Sequence, residues 1–393
     1  MERGEPDSRE GLKNFILSRI RERGPVPFAQ FMEWCLYHPE FGYYRTDGIK
    51  IGKEGDYYTG PCVHPLFGHL IAKQLCQMSE ILGQTAFDVI EAGGGRGFLC
   101  GDILHWAKKK APSFYRNIRY TLIETAPALL KKGNKNLDKE EKAGKVFWVT
   151  PEEFEKGKGP VEGCVISNEL VDAFPVHRVM LEQGEFKELY VTERKGCFEE
   201  QWGEPSDPRI PAYFEGMGVV LEDGQKAEVN LEALDWINRV GRRLNRGFVL
   251  TIDYGSPAEE LYSPCRTEGT LLCYFEHRVS EDPYERLGMQ DITSHVNFTA
   301  LIQKGEEAGL RLTGLVPQYR FLIGLGFFEE MEAMERGLSE IDKLKLRLTL
   351  KHLIEPEAGM GEVFKVLIQH KGVHPPPLNG LRELRSIGRG TSS

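Results

Sequence analysis

Two short runs carry residue types from which chemistry can be built: Glu91-x-Gly93-x-Gly95-x-Gly97, inside "VIEAGGGRGFLCGDIL", and Asn168-Glu169-x-x-Asp172, inside "GCVISNELVDAFPVHRV". Glycines at a strand-to-helix junction let the backbone turn sharply and let a ligand approach it closely. The glycine run follows an apolar strand-like segment and opens a helix-like one, so it reads as a flexible turn or as the seat of a nucleotide-type cofactor. Glu124 closes "YTLIET" at the carboxyl edge of the next strand. There an acidic side chain accepts hydrogen bonds from ribose hydroxyls, or caps the helix after Pro127. Glu169 and Asp172 stand just past a further strand, on the side from which ligands enter an open α/β sheet. Carboxylates so placed orient a cationic group and take a proton from it, and Asp172 also suits the start of a helix.

Spacing narrows the ligand. A dinucleotide pattern started at Gly93 requires glycine or alanine at position 98, where this chain has Phe98. The acidic residue two before the first glycine and the GxGxG rhythm resemble motif I of class I S-adenosyl-L-methionine (SAM) methyltransferases. SAM carries a sulfonium, an amino group and a carboxylate but no pyrophosphate, so backbone amides and a nearby carboxylate suit it. A NAD(P)-dependent oxidoreductase is the competing enzyme reading, weakened by Phe98 and by the lack of a Tyr-x-x-x-Lys pair in a matching helix.

The elements that position these residues alternate: strand "FDVIEAG", helix 97–110, strand "IRYTLIET", helix near 126–137, strand "KVFWVT", strand "GCVISNEL". Such alternation predicts right-handed βαβ units and a doubly wound parallel sheet. Ahead of it, Leu12, Phe15, Ile16 and Ile20 recur at helical spacing, Gly24, Pro25 and Pro27 stop that helix, and "FAQFMEWCLYH" forms another. A Gly- and Tyr-rich stretch, "PEFGYYRTDGIKIGKEGDYYTGP", then reads as a long functional loop. Residues 176–222 break the rhythm as short antiparallel strands, a helix and the strand "GFVLTIDYG" restore it, and the basic, proline-braked end reads as a mobile tail. The segments divide as 1–63 (cap and loop), 64–175 (cofactor part), 176–228 (inserted β part), 229–370 (second α/β part) and 371–393 (tail).

Composition sets outer limits. A formal net charge of −9 over 393 residues disfavours a general nucleic-acid binder. The eight cysteines show no CxxC, which fits reduced thiols rather than a disulfide framework, and no His/Cys cluster has metal-ligand spacing. No run of about 18 apolar residues predicts a membrane span. The acidic start "MERGEPDSRE" with Met1 in place favours a bacterial cytoplasm, with the mitochondrial matrix as the alternative.

Taken with "GPVPFAQFMEWCLYHPEFGYY", "KEGDYYTGPCVHPLFGHLIAKQL", "LTIDYG" and "DITSHVNF", these motifs resemble the MidA-like family of SAM-dependent methyltransferases over residues 24–370. The resemblance implies an α/β, seven-stranded Rossmann-like class I methyltransferase sheet with an N-terminal helical cap and an inserted β subdomain. It implies SAM as cofactor and a protein acceptor methylated on arginine, of the kind found in respiratory complexes. Neither nucleic acid nor membrane insertion is expected, and a homodimer is compatible. Glu91, Gly93, Gly95, Gly97, Glu124, Asn168, Asp56 and Thr59 are expected at the cofactor; Glu169, Asp172 and His277 are expected to act on the acceptor. Gly52 and Gly55 would hinge a lid carrying Asp56, Tyr57 and Thr59, and Asp253, Tyr274, Asp291 and His295 would face the substrate. The chain departs from the family at Thr59-Gly60-Pro61-Cys62-Val63-His64, usually Thr-Ser-Pro-Glu, and at Ala92-Gly93-Gly94, usually Gly-Ala-Gly or Gly-Pro-Gly. The first departure leaves two further readings open: a non-catalytic assembly chaperone on the same fold, and a small-molecule methyltransferase.

Overall fold

The computed structural model describes residues 6–46, 60–83, 85–125, 137–157, 159–355 and 360–383. Helix α1 (Pro6–Arg23) is followed by Gly24 at φ 85, strand β1 (Val26–Pro27) and helix α2 (Phe28–Tyr37). Leu12, Ile16 and Ile20 of α1 close on Phe28, Phe31 and Cys35 of α2, as their helical spacing requires.

Strands β2 (Phe87–Ala92), β3 (Ile118–Ile123), β4 (Val146–Val149) and β5 (Val161–Asn168) follow, with the helix Phe98–Lys110 between β2 and β3. The chain then leaves for an antiparallel sheet, β6 (His177–Glu182), β7 (Glu185–Arg194), β8 (Cys197–Gly203) and β9 (Lys226–Val229). β1 joins that sheet, Val26 opposite Val191. The chain returns as β10 (Leu244–Ser256), forms a small sheet of β11 (Leu272–Phe275), β12 (Arg278–Ser280) and β13 (Asp291–Thr293), and adds β14 (Val296–Asn297) beside the end of β10. β15 (Arg311–Pro317) and β16 (Phe364–Lys371) complete the fold.

The main sheet runs β15-β16-β10-β5-β2-β3-β4. The strands from β10 through β4 are parallel, but β16 lies antiparallel to both neighbours, so the sheet is mixed rather than wholly parallel as expected. The reason for the difference is physical: β16 is buried on both faces, and a fully buried strand shows the same apolar run in either direction. β2 leads outward to β3 and β4, and the chain then re-enters on the other side of β2 as β5. That reversal opens a crevice at the carboxyl ends of β2 and β5, where the glycine run and Asn168-Glu169 begin.

Part of the segment expected to be a mobile tail is docked. Leu378 is buried, and Gly380 N and Asn379 N donate to Gln74 Oε1 (3.0 Å) and Gln77 Oε1 (2.9 Å) of the helix Leu66–Leu82. One buried leucine and two satisfied amides anchor an otherwise polar end. Among the described residues no helix is long and apolar enough to cross a membrane, and no cluster has the makings of a metal site.

Candidate active site

The glycine run is built for close approach. Gly93, Gly95 and Gly97 hold φ of 70, 52 and 72, a region that side chains with a Cβ seldom enter. A Cβ on Gly94 would stand 2.4 Å from Leu122, so the loop lies flat on β3, whereas a Cβ on Gly95 would meet nothing nearer than a carbonyl oxygen at 4.0 Å. Among the described residues the loop is therefore packed beneath and open above, which suits a ligand lying across it. Gly93 N donates to Ile123 O (3.0 Å) and Gly97 N to Gly94 O (2.8 Å), fixing the bend.

Glu124 braces that bend. One carboxylate oxygen accepts from Gly95 N (2.9 Å) and the other from Thr125 N (2.7 Å). It stays at the carboxyl edge of β3, with the glycine loop as partner in addition to any ribose. Glu91, expected at the cofactor, is turned inward: it is 4% exposed and accepts from Tyr120 Oη at 2.5 Å. Burial pushes its carboxyl up to about 8, against the pull of Tyr120. It ties β2 to β3 through Tyr120.

Across the crevice, Glu169 takes φ 50, one of few non-glycine residues with a left-handed backbone. Such a conformation costs about 1–3 kcal/mol and persists only where its surroundings impose it. Asp253 imposes it here. Its carboxylate accepts from the backbone N–H of Leu170 (3.2 Å), Val171 (2.9 Å) and Asp172 (3.4 Å), while Glu169 N donates to Ile252 O at 2.9 Å. Asp253, expected to face substrate, is 0% exposed and instead holds the turn. Burial and the charges of Asp172 and Glu169 push its carboxyl up, opposed by those N–H donors.

The Glu169 side chain accepts from Asn168 Nδ2 (3.0 Å) and from Gly60 N (3.2 Å). Asn168 thus orients Glu169 through its side-chain amide. Gly60, in the segment that departs from the family pattern, reaches the same carboxylate through its backbone. Burial first, then Asp172, raises the Glu169 carboxyl to about 8. Asp172 is buried, raised to about 6 chiefly by burial, and hydrogen-bonded by Tyr254; its Oδ1 has no partner among the described residues. No helix follows it, so it caps none.

Three tyrosines and a fourth carboxylate complete the surroundings. Tyr44 Oη donates to both oxygens of Asp291 (2.8 and 2.9 Å), and Tyr37, stacked on Tyr44 with ring centroids 5.5 Å apart, donates to Ala173 O at 2.9 Å. The Asp291 charge is felt by Glu169 and by Tyr37. Arg45 Nη1 donates to Thr125 O, pinning the aromatic segment to the end of β3. The Tyr-rich stretch had marked this segment as functional, but nothing in sequence names Asp291 as its partner. His295 packs edge-on against Tyr254 (5.5 Å) and is lowered to about 4 by burial, so it is neutral. His277, expected to be catalytic, sits with Glu276 in the two-residue turn between β11 and β12. Both residues have positive φ and exposed side chains, the geometry of a tight hairpin, and His277 is on a different element from the carboxylates. Asp56, Thr59, Tyr57, Gly52 and Gly55 lie outside the described residues.

The comparisons agree with this geometry. The family model "Putative S-adenosyl-L-methionine-dependent methyltransferase" matches residues 70–316. "Protein arginine methyltransferase NDUFAF7 homolog, mitochondrial" of Drosophila melanogaster is 26% identical over 92% of this chain and 85% of its own. Its Homo sapiens counterpart is 25% identical over 91% and 83%. A Burkholderia thailandensis protein crystallised with S-adenosyl-homocysteine superposes with a TM-score of 0.85 at 29% identity, covering 97% of each chain. With a mixed α/β sheet, a glycine bend open to a ligand and a family match over most of its length, the chain belongs to the SAM-dependent methyltransferases.

Proposed function

We propose that this methyltransferase acts on an arginine side chain of a protein, with Glu169 and Asp172 handling the acceptor. The observation that carries the reading is the pair of carboxylates on a turn held by Asp253, just past the end of β5 and beside the end of β2, where the glycine bend begins. SAM, when bound, supplies an electrophilic methyl group on a sulfonium that departs as a neutral thioether. The bend of Gly93, Gly95 and Gly97 and the Glu124 carboxylate would hold it, since carboxylates accept more than one hydrogen bond per oxygen.

An arginine enters with its charge delocalised and its proton held tightly, with a pKa above about 12. Glu169, gripped by Asn168 and Gly60, would hold the guanidinium so that one nitrogen faces the donor, and would draw positive charge away from that nitrogen. As the new N–C bond forms, the surplus proton leaves that nitrogen for Glu169 and passes to solvent. Asp172, with one oxygen unpartnered, would take a second guanidinium N–H. His277 is left out of this group, and a contact of Asp56 and Thr59 with SAM stays a proposal, since both lie outside the described residues.

The names of the curated relatives carry "protein arginine methyltransferase" and "mitochondrial", which supports the acceptor and favours the mitochondrial alternative over the cytoplasmic expectation. Incubation with isotope-labelled SAM and a mitochondrial extract, followed by mass spectrometry, tests the reading. Label on arginine is the expected result. Label only on a small molecule, or tight SAM binding with no transfer at all, would overturn it in favour of the small-molecule enzyme or the chaperone.

A further inference from the structure

We propose that the aromatic cleft between α1 and α2 is a docking site for a second cationic side chain of the acceptor, flanking the methylated residue; this rests on the protein-arginine reading above. The cleft has a volume of ≈ 450 Å³ and is lined by Phe15, Glu33, Trp34, Tyr37, His38 and Pro39. Sites that take up small ligands span about 300–1,000 Å³, so a long side chain fits. Phe15 belongs to the apolar spacing of α1 yet is only partly covered, its ring meeting Trp34 edge-on at 5.4 Å and His38 at 4.5 Å.

The chemistry of the lining selects the occupant. Aromatic faces attract cations, and Phe15 already holds one guanidinium, that of Arg19, 5.1 Å from its centroid. Glu33 contributes a negative charge; it is exposed, and its one hydrogen bond among the described residues comes from Gln30 at 2.5 Å. His38 adds no opposing charge. Its Nδ1 accepts from the backbone N–H of Glu40 and Phe41, both at 3.3 Å, and burial lowers its pKa. The Arg19 charge on the Phe15 face is paired with Glu22 at 3.2 Å, so the rings of Trp34 and Tyr37, the Glu33 carboxylate and a neutral imidazole favour a cation over an anion.

Tyr37 links the cleft to the reaction centre. Tyr37 lines the cavity, while its hydroxyl bonds Ala173 O, next to Asp172, and its stacked neighbour Tyr44 holds Asp291. One residue, Tyr37, thus belongs both to the cleft and to the hydrogen-bonded surroundings of Asp172.

The test uses full-length protein carrying 5-fluorotryptophan, with the Trp34 fluorine resonance identified by Trp34→Phe. The probe is an acetylated Arg-Gly-Arg-Gly-Arg peptide, compared with its citrulline counterpart. The Trp34 resonance should shift saturably with the arginine peptide and not with the citrulline one. Glu33→Gln should weaken that binding about tenfold and leave SAM affinity unmoved. A Trp34 resonance unmoved up to millimolar arginine peptide, or moved equally by citrulline, overturns the cleft while leaving the methyl-transfer reading standing. A saturable Trp34 shift with no methylation of any arginine overturns that reading and leaves the cleft.

Discussion

Glu169 carries a charge state that depends on its company. With its carboxyl raised to about 8 by burial and by Asp172, it is mostly protonated at neutral pH when no cation is present. A bound guanidinium favours the ionised form, so acceptor binding below pH 8 expels a proton. The kcat/KM for the acceptor should therefore climb from pH 6.5 and level off above about 8; a flat profile would remove Glu169 from this role. Glu169→Gln keeps the shape and removes the charge, and should lower kcat by about 10²–10⁴ with SAM affinity by calorimetry unchanged. Stability follows the same sign. A carboxyl raised in the folded state binds its proton more tightly there than in the unfolded chain, where it titrates near the ordinary value of about 4.5. Its contribution is full below that value and is lost as pH rises through about 8. The melting advantage of Glu169→Gln over the natural chain should accordingly grow from pH 5 to pH 9.

At the scale of elements, the glycine bend separates packing from binding. Gly94→Ala places its Cβ 2.4 Å from Leu122 and should lower the melting temperature, whereas Gly95→Ala meets no atom of the described residues nearer than 4.0 Å and bears a backbone φ of 52. Gly95→Ala should cost at least tenfold in SAM affinity by calorimetry because its Cβ enters the space proposed for the ligand, and should lower melting less than Gly94→Ala, by no more than the about 1–2 kcal/mol that a left-handed residue with a Cβ costs. Equal effects of the two on melting would deny the bend its open face. This part of the site was legible because a strand, a turn and a helix each leave a local pattern, and β2 and β5 end where their apolar runs end. Asp253 was not legible: sequence places it at the same carboxyl edge as Asn168, and nothing local tells whether its carboxylate meets a ligand or three backbone amides. Nor was the Tyr44–Asp291 pair, whose members are 247 residues apart and meet only in the folded chain. Nor was the bond from Tyr120 to Glu91 legible, since an acidic residue before a glycine run looks alike whatever its side chain bonds to.

For the whole molecule, the N-terminal helices share a core with β7 of the inserted sheet that is separate from the apolar clusters on the main sheet. Phe31 is fully buried among Phe28 (5.8 Å), Phe198 (5.6 Å) and Tyr284 (5.0 Å), so it joins α2 to β8 and to the segment before β13. Leu189 and Val191 of β7, with Cys273 and Ile292, close the same cluster, whereas Val89, Tyr120 and Ile166 belong to another. The donor side of the crevice rests on the second cluster. Tyr37 and Tyr44, on its acceptor side, hang from the first. Phe31→Ala should destabilise by about 3–5 kcal/mol, and the loss should be local, because cooperative units of a large chain open separately. Hydrogen exchange is expected to accelerate in α2, β7 and β13 and to stay slow in β2 and β5. SAM affinity should hold while the acceptor KM rises. Uniform acceleration across β2 and β5 would mean that the two cores melt as one, and that the acceptor wall has no independence from the donor site.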